Sequence, residues 1–425
     1  MMGATVIVSC LATVRRSCSE ATLTIPRWTP SSDITKREAF LLKRLQRTLK
    51  LYKFLREHRL ELFDAAFQDE LATMYRDTEE GKQAVPPAQL AMAILLQAYT
   101  GTSDAEAIEN ATVDPRWRMV LGTLSPEEEE PPFSQGTLQR FRQRMIAHDM
   151  DRRLLERTVE LAKKTQGFDY KKLPKDVRLA VDSRPLTGAG KVEDTFNLLG
   201  HAARKLLKCA AAMAELEPGE VAEAIDAPAL VASSTKRGLD IDWNDPEQKA
   251  GAIRKLIEQI DRLEAWVRQE LGDAAESPPL SEQLATLAQL REQDLEPDPG
   301  GGGPRIRDGV APDRRISVED PEMRHGRKSK SQTIKGYKTH LGADLDTNLV
   351  LACAVTPANK PEADALPAIL RDLARHRERN SIGSLHIDRG YLASEAVRGL
   401  SNTGVPILSK PWRGQKGPLF SKSDF

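Results

Sequence analysis

The chain has 425 residues, 40% of them apolar, and its 62 basic side chains balance 62 acidic ones. That length supports two or three domains with cores of their own, and the neutral total leaves any affinity for an acidic partner to local clusters. Four cysteines without a CxxC pair and seven histidines without ligand spacing argue against a disulfide framework or a structural zinc, and fit a reducing cytosol.

The first apolar stretch, Ala4 to Val14, has no basic region before it and is too short to span a bilayer, so no membrane partner is expected. Residues 1–32 read as a disordered or misassigned start. From Ile34 to His58, Phe40, Leu41, Leu45, Leu49, Tyr52 and Leu55 recur at helical spacing, with nine basic and two acidic residues between Lys36 and Arg59. One face should pack while the other stays strongly positive. Prolines at 86 and 87 open a nearly all-apolar helix, Leu90 to Tyr99, which Gly101 ends. Ser103 is placed to cap a helix through Ala111, and Ser134 another from Gln135 to His148 that carries Arg140, Arg142 and Arg144. Residues 33–166 therefore read as a helical N-terminal DNA-binding domain, with the acidic run Glu127 to Glu130 as a solvated loop.

After Gly167 the pattern changes. Val177 to Ser183 is a short β-branched run that delivers Asp182 to a sheet edge. Helices return from Asp194 to Leu216, after Asp245 and Pro246, and from Leu280 to Leu295, which sets a helical insertion at 191–297. EPDPGGGGP begins a glycine-rich linker, 298–313. Thr333 to Ala343 and Leu349 to Val355 form a hairpin; Pro361 to His376 is amphipathic; SLHID is a strand, Leu392 to Leu400 a helix and VPILSK a strand. Residues 175–425 thus read as an α/β domain with one long helical insertion after its first strand.

Asp182 in AVDSRPL and Asp388 in HIDRGY each follow a short apolar strand, where ligands of such sheets gather. Paired carboxylates on rigid strands suit divalent cations, and cations suit phosphodiester chemistry. The run RHGRKSKSQTIKGYK supplies Arg324, Arg327, Lys328, Lys330, Lys335 and Lys338 with no acid among them, enough charge to neutralise several phosphates, and Tyr337 is a candidate for stacking on a base.

At these residues the chain resembles a bacterial family. LAVDSRPLTGAGKVEDTFNLLGHAARKL, the segment from ISVEDPEMRHGRKSK through NKPEADALP, and LHIDRGYLAS resemble the catalytic half of insertion-sequence transposases of the DDE type, and FLREHRLELFDAAFQDELATMYR with the helices after it resembles their N-terminal domain. The resemblance runs in order from about residue 35 to 412. It implies a ribonuclease H-like mixed sheet whose first and fourth strands are neighbours, with Asp182 and Asp388 as the first two acids of the triad, catalytic and metal-binding. It also implies Mg2+ as cofactor, with Mn2+ able to substitute, and terminal inverted repeats and target DNA as double-stranded DNA partners. The implied protein is a homo-oligomer when synapsed, working in the bacterial cytoplasm at the nucleoid.

The third acid, a glutamate on a helix after the fifth strand, has no counterpart in PWRGQKGPLFSKSDF, while Glu395 and Asp424 are poorly placed to replace it. The expectation is a C-terminally truncated transposase with negligible cleavage. The alternative is a catalytically silent DNA-binding relative that competes for transposon ends.

Overall fold

Side chains that cap helix ends, and prolines suited to first turns, start the helices of the N-terminal half. The structure is a computed structural model describing residues 25–45, 49–76, 83–125, 130–150, 152–164, 174–327, 332–375 and 381–410. It divides into two compact units, Met1–Lys172 and Leu173–Phe425. Ala4 to Val14, the acidic residues 127–129 and the tail 411–425 lie outside the described residues.

In the first unit Thr35 and Glu38 form a capping box on α1 (Lys36–Arg44), and α2 (Leu49–Leu62) follows. Asp64 caps α3 (Ala65–Ala72); α4 (Pro87–Thr100) has proline in its first turn and ends on Gly101 at φ +67°. Ser103 and Glu106 box α5 (Asp104–Val113), α6 (Pro115–Leu121) begins on proline, Ser134 caps α7 (Gln135–Ala147), and α8 (Arg153–Lys164) closes the unit. Their apolar faces meet around Trp117, Tyr52, Phe63, Phe67, Leu71, Leu96 and Phe141.

The basic run from Ile34 to His58 departs from its expected form. It is two helices, since α1 stops at Leu45 and the second runs on to Leu62. Phe40, expected to pack, is 58% exposed. Arg56 within it and Arg59 just after it turn inward: Arg56 bonds Glu38 at 2.6 Å, and Arg59 donates to the carbonyls of Met119 (2.9 Å) and Val120 (3.0 Å). Those two carbonyls belong to the last turn of α6, where intrahelical donors run out, so Arg59 helps to cap it alongside Trp28 and Gln89, which donate to Leu121 O. Burial, with Arg56 nearby, pushes the Arg59 guanidinium down to about 10.

In the second unit β1 (Val177–Thr187) leads into α9 (Thr195–Met213), α10 (Pro218–Ala224), α11 (Thr235–Gly238), α12 (Pro246–Leu271) and α13 (Leu280–Asp294). These helices bury their own cluster, including Leu199, Leu206, Leu256, Ile260, Leu263 and Leu287. The glycine-rich stretch is a turn, where the reading expected a linker. β2 (Leu295–Pro297) pairs antiparallel with β3 (Pro304–Ile306), and Asp298 N–H donates to Gly303 O across it at 3.0 Å. Arg254 of α12 holds Asp298 at 2.8 Å, so an element of the insertion anchors the glycines.

The chain then forms β4 (Arg324–Arg327), β5 (Thr333–Asp344), β6 (Val350–Pro357), α14 (Leu366–Leu373), β7 (Ile382–Ile387), α15 (Glu395–Asn402) and β8 (Ile407–Ser409). The sheet order is β4-β5-β1-β7-β8, with β6 also on β5. β1 runs antiparallel to β5 and parallel to β7, which is parallel to β8. β5 meets β4 through Gly336 and β6 from Tyr337 onward, both along one edge. The change of partner falls on Gly336, whose φ of +138° and contact with the Gly188 backbone leave no place for a Cβ. This is a ribonuclease H-like mixed sheet with a helical insertion after its first strand and a helical region before it. Among the described residues no helix is long and apolar enough to cross a membrane.

Burial opposes ionisation of Glu38, yet hydrogen bonds from Arg56 and the Thr35 amide hold its carboxyl below the ordinary 4.5. A depressed carboxyl contributes its full stabilisation above the ordinary 4.5 and loses it as pH drops from there through the lower folded value. Glu38→Ala leaves Arg56 buried without its partner and should cost about 3–5 kcal/mol. The urea midpoint should fall at pH 7, with the gap to wild type narrowing as the pH approaches 4.

Candidate active site

Alternation along β1 buries Val177, Leu179 and Val181 on one face and turns Arg178, Ala180 and Asp182 to the other. On β7 the buried residues are Leu385 and Ile387. The strands pair in parallel with Leu179 beside Leu385, Ala180 beside His386 and Val181 beside Ile387. Asp182 and Asp388 are the next residue on each strand. They therefore share a face, opposite Val181 and Ile387, on strands about 4.8 Å apart. Both are exposed.

Only Asp388 ends its strand, where it precedes the three-residue turn Arg389–Tyr391. The sequence reading placed both aspartates at strand ends, but β1 continues to Thr187, because β5 is long enough to pair with it from Leu179 to Thr187. Past Asp182 the strand has lost β7, so the missing N–H of Pro185 costs nothing on that open edge. Asp182 Oδ1 accepts the Ser183 N–H at 2.8 Å.

Beneath the aspartates lies a polar cluster. Ser183 faces His340 across the ladder. His340 is fully buried, its Nδ1 2.7 Å from the Tyr391 hydroxyl and its Nε2 2.9 Å from Thr356 Oγ1. Ser183 Oγ donates to Glu362, at the start of the turn Glu362–Ala365 that precedes α14. Burial pulls the His340 imidazole below its usual range, against a smaller opposing pull from Glu362. Burial and then the Glu362 charge push the Tyr391 phenol upward. Sequence reading missed Ser183, His340, Glu362 and Tyr391. The available signals were a histidine within a strand and a tyrosine three residues past Asp388.

Oxygen donors alone suit Mg2+, which keeps several waters and takes one or two carboxylates. Asp182 and Asp388 fit that donor set. Among the described residues no three or more Asp, Glu, His or Cys side chains converge on one point, and His386, on the same face, turns to Ser384 at 3.0 Å. Glu395 opens α15 and is exposed; Asp424 lies outside the described residues.

The basic candidates have different surroundings. Arg324 is 9% exposed, pairs with Asp313 at 3.1 Å and donates to the carbonyls of Pro321 and Met323. Lys338 donates to Lys360 O at 2.8 Å, and the Tyr337 hydroxyl, expected to be free for stacking, donates to Asp320. Arg327 and Lys335 are exposed; Lys328 and Lys330 lie outside the described residues. In the first unit Arg140 is exposed, Arg142 is bound to Asp104 (2.9 Å) and Gln97 (2.7 Å), and the Arg144 guanidinium sits 4.4 Å over the Tyr75 ring.

Residues 44–144 match a family described as "Transposase domain (DUF772)", and residues 308–421 match one described as "Transposase DDE domain". The chain belongs to the DDE transposases. No curated protein matches it, and no solved structure does. The DDE match takes in Asp388, His340 and Glu362 of this transposase and begins beyond Asp182 and the insertion.

A histidine held neutral when folded but free to take a proton when unfolded costs stability as pH falls below about 6.5. Urea midpoints measured from pH 8 down to pH 5 should decline, and His340→Gln should flatten part of that decline.

Proposed function

We propose that this transposase binds the terminal inverted repeats of its element and carries out metal-dependent phosphodiester hydrolysis and strand transfer, with Asp182 and Asp388 holding the cations. The observation that carries this reading is the parallel register of β1 with β7, which brings two aspartates distant in sequence side by side on one exposed face. Mg2+, or Mn2+ in its place, supplies a Lewis acid that lowers the pKa of a bound water or 3′-hydroxyl and stabilises the leaving oxygen. The protein's own part is to fix the two carboxylates at strand spacing before DNA arrives. No side-chain nucleophile is required.

DNA backbone is held, in this reading, by the β4–β5 hairpin and by the helical unit. Lys335 pairs with His325 in the ladder, and Gly336 beside it faces Thr187, five residues past Asp182 along β1, or about 17 Å at strand rise. Exposed Arg327 and Lys335 suit phosphates along the DNA to one side of the scissile one, and the reading extends to Lys328 and Lys330. Arg324 and Lys338 shape that hairpin through their carbonyl partners. On α7, exposed Arg140 is the candidate for direct contact, while Arg142 and Arg144 orient the helix through Asp104 and Tyr75. Synapsis of two ends calls for at least two copies.

The test is incubation of the purified chain with labelled inverted-repeat DNA in Mg2+ or Mn2+. Cleavage that Asp182→Asn and Asp388→Asn each abolish would support the metal-holding pair. End binding with no cleavage would leave the chain a DNA-binding competitor for transposon ends. Arg327→Ala with Lys335→Ala should weaken binding irrespective of sequence and reduce the slope of log K against log salt by about 2, roughly one per lost phosphate contact.

A further inference from the structure

The ladder between β1 and β7 ends at Val181 and Ile387, one residue short of both aspartates. Pairing sets the two aspartates side by side but stops short of them, which leaves their fine spacing to other contacts. We infer that Glu362 sets that spacing, as a positioning residue that clamps the two segments from below, a role that rests on the metal-holding pair proposed above.

The clamp is visible atom by atom. One carboxylate oxygen of Glu362 accepts the hydroxyl of Ser183, the residue after Asp182. The other lies so close to Gly390, two residues after Asp388, that a Cβ there would run into it. A single planar group thus touches both aspartate-bearing segments just past the point where their ladder stops. Tyr391 completes the brace: it is fully buried, interacts with Ser183, and anchors through His340 to Thr356 on β6. Glu362 is well placed for this, because Pro361 fixes the backbone as the chain leaves β6 and enters the turn before α14.

Two observations assign it to positioning over ligation. Strand alternation puts Ser183 on the face opposite Asp182, so Glu362 reaches the site from beneath the carboxylate pair. The described residues also contain no group of three carboxylates close enough to share a cation. What Glu362 supplies is an acceptor of the right reach, which an amide oxygen can also supply.

The experiment measures Mn2+ affinity of the full chain by electron paramagnetic resonance, which needs no turnover. Glu362→Ala should weaken Mn2+ binding by about tenfold, the low end for loss of a group that orients a ligand. Ser183→Ala should weaken it by no more than that, and the double variant should be no worse than Glu362→Ala, because Ser183 joins the clamp through Glu362. Glu362→Gln should bind within about threefold of wild type, since the acceptor is kept. Gly390→Ala, whose methyl displaces the carboxylate, should weaken binding in the wild-type background and have little further effect on Glu362→Ala; urea midpoints confirm that each variant is folded.

Glu362→Gln as weak as Glu362→Ala would overturn positioning in favour of a direct role for the charge. Wild-type affinity in folded Glu362→Ala would overturn it outright. Asp388→Asn separates the two levels: if it loses Mn2+ while Glu362→Ala keeps it, only the clamp falls, and if it binds Mn2+ as wild type does, the proposed function falls and takes the clamp with it.

Discussion

Parallel pairing of β1 with β7 is the constraint on which the rest of the second unit depends. Two parallel strands cannot be joined by a tight turn, so the chain has to travel a long way between them before it returns beside β1. Here the return path is long enough to hold five helices, the antiparallel strands β4, β5 and β6, and α14. Because the ladder is parallel, residues at equal distance beyond its last pair remain neighbours, and alternation gives them a common face. The side-by-side carboxylates follow from that geometry, as do the long partner strand β5 and the open edge that admits Pro185.

Much of this was legible from residue patterns. Ser103, Ser134 and Gly101 stand where the helices start and stop, and the apolar runs ending in Asp182 and Asp388 lie in the strands that pair. What the patterns could not give was the partner of each charge. Arg59 looks like any basic residue on an amphipathic helix, yet it serves carbonyls of α6 that no local pattern connects to it. Arg142 and Arg324 likewise bind Asp104 and Asp313, as an arginine with five donors on a planar head readily does inside a protein. A count of positive residues therefore overstates the surface open to phosphate.

The cluster under the site was hidden for a related reason. Ser183, His340, Glu362 and Tyr391 come from β1, β5, a turn and the loop after β7. None of them recurs at a spacing that marks a motif, and a glutamate after a proline reads as a solvated turn. The glycine-rich stretch misled in the opposite direction. Four consecutive glycines read as a flexible tether, whereas β2, β3 and the Arg254 to Asp298 pair fold them into a short hairpin.

The insertion's separate core has a kinetic consequence. Closing a loop between β1 and β7 carries an entropy cost that grows with the logarithm of the flexible length, about 0.6 kcal/mol for each doubling. Helices that bury Leu199, Leu256, Ile260 and Leu287 among themselves turn most of that length into a preformed block with local contacts, which form early. The strand carrying Asp388 is nonetheless made late on the ribosome, long after Asp182. A growing chain of this transposase thus carries only one of its two neighbouring aspartates until β7 emerges, and the pair comes into being only when the sheet does.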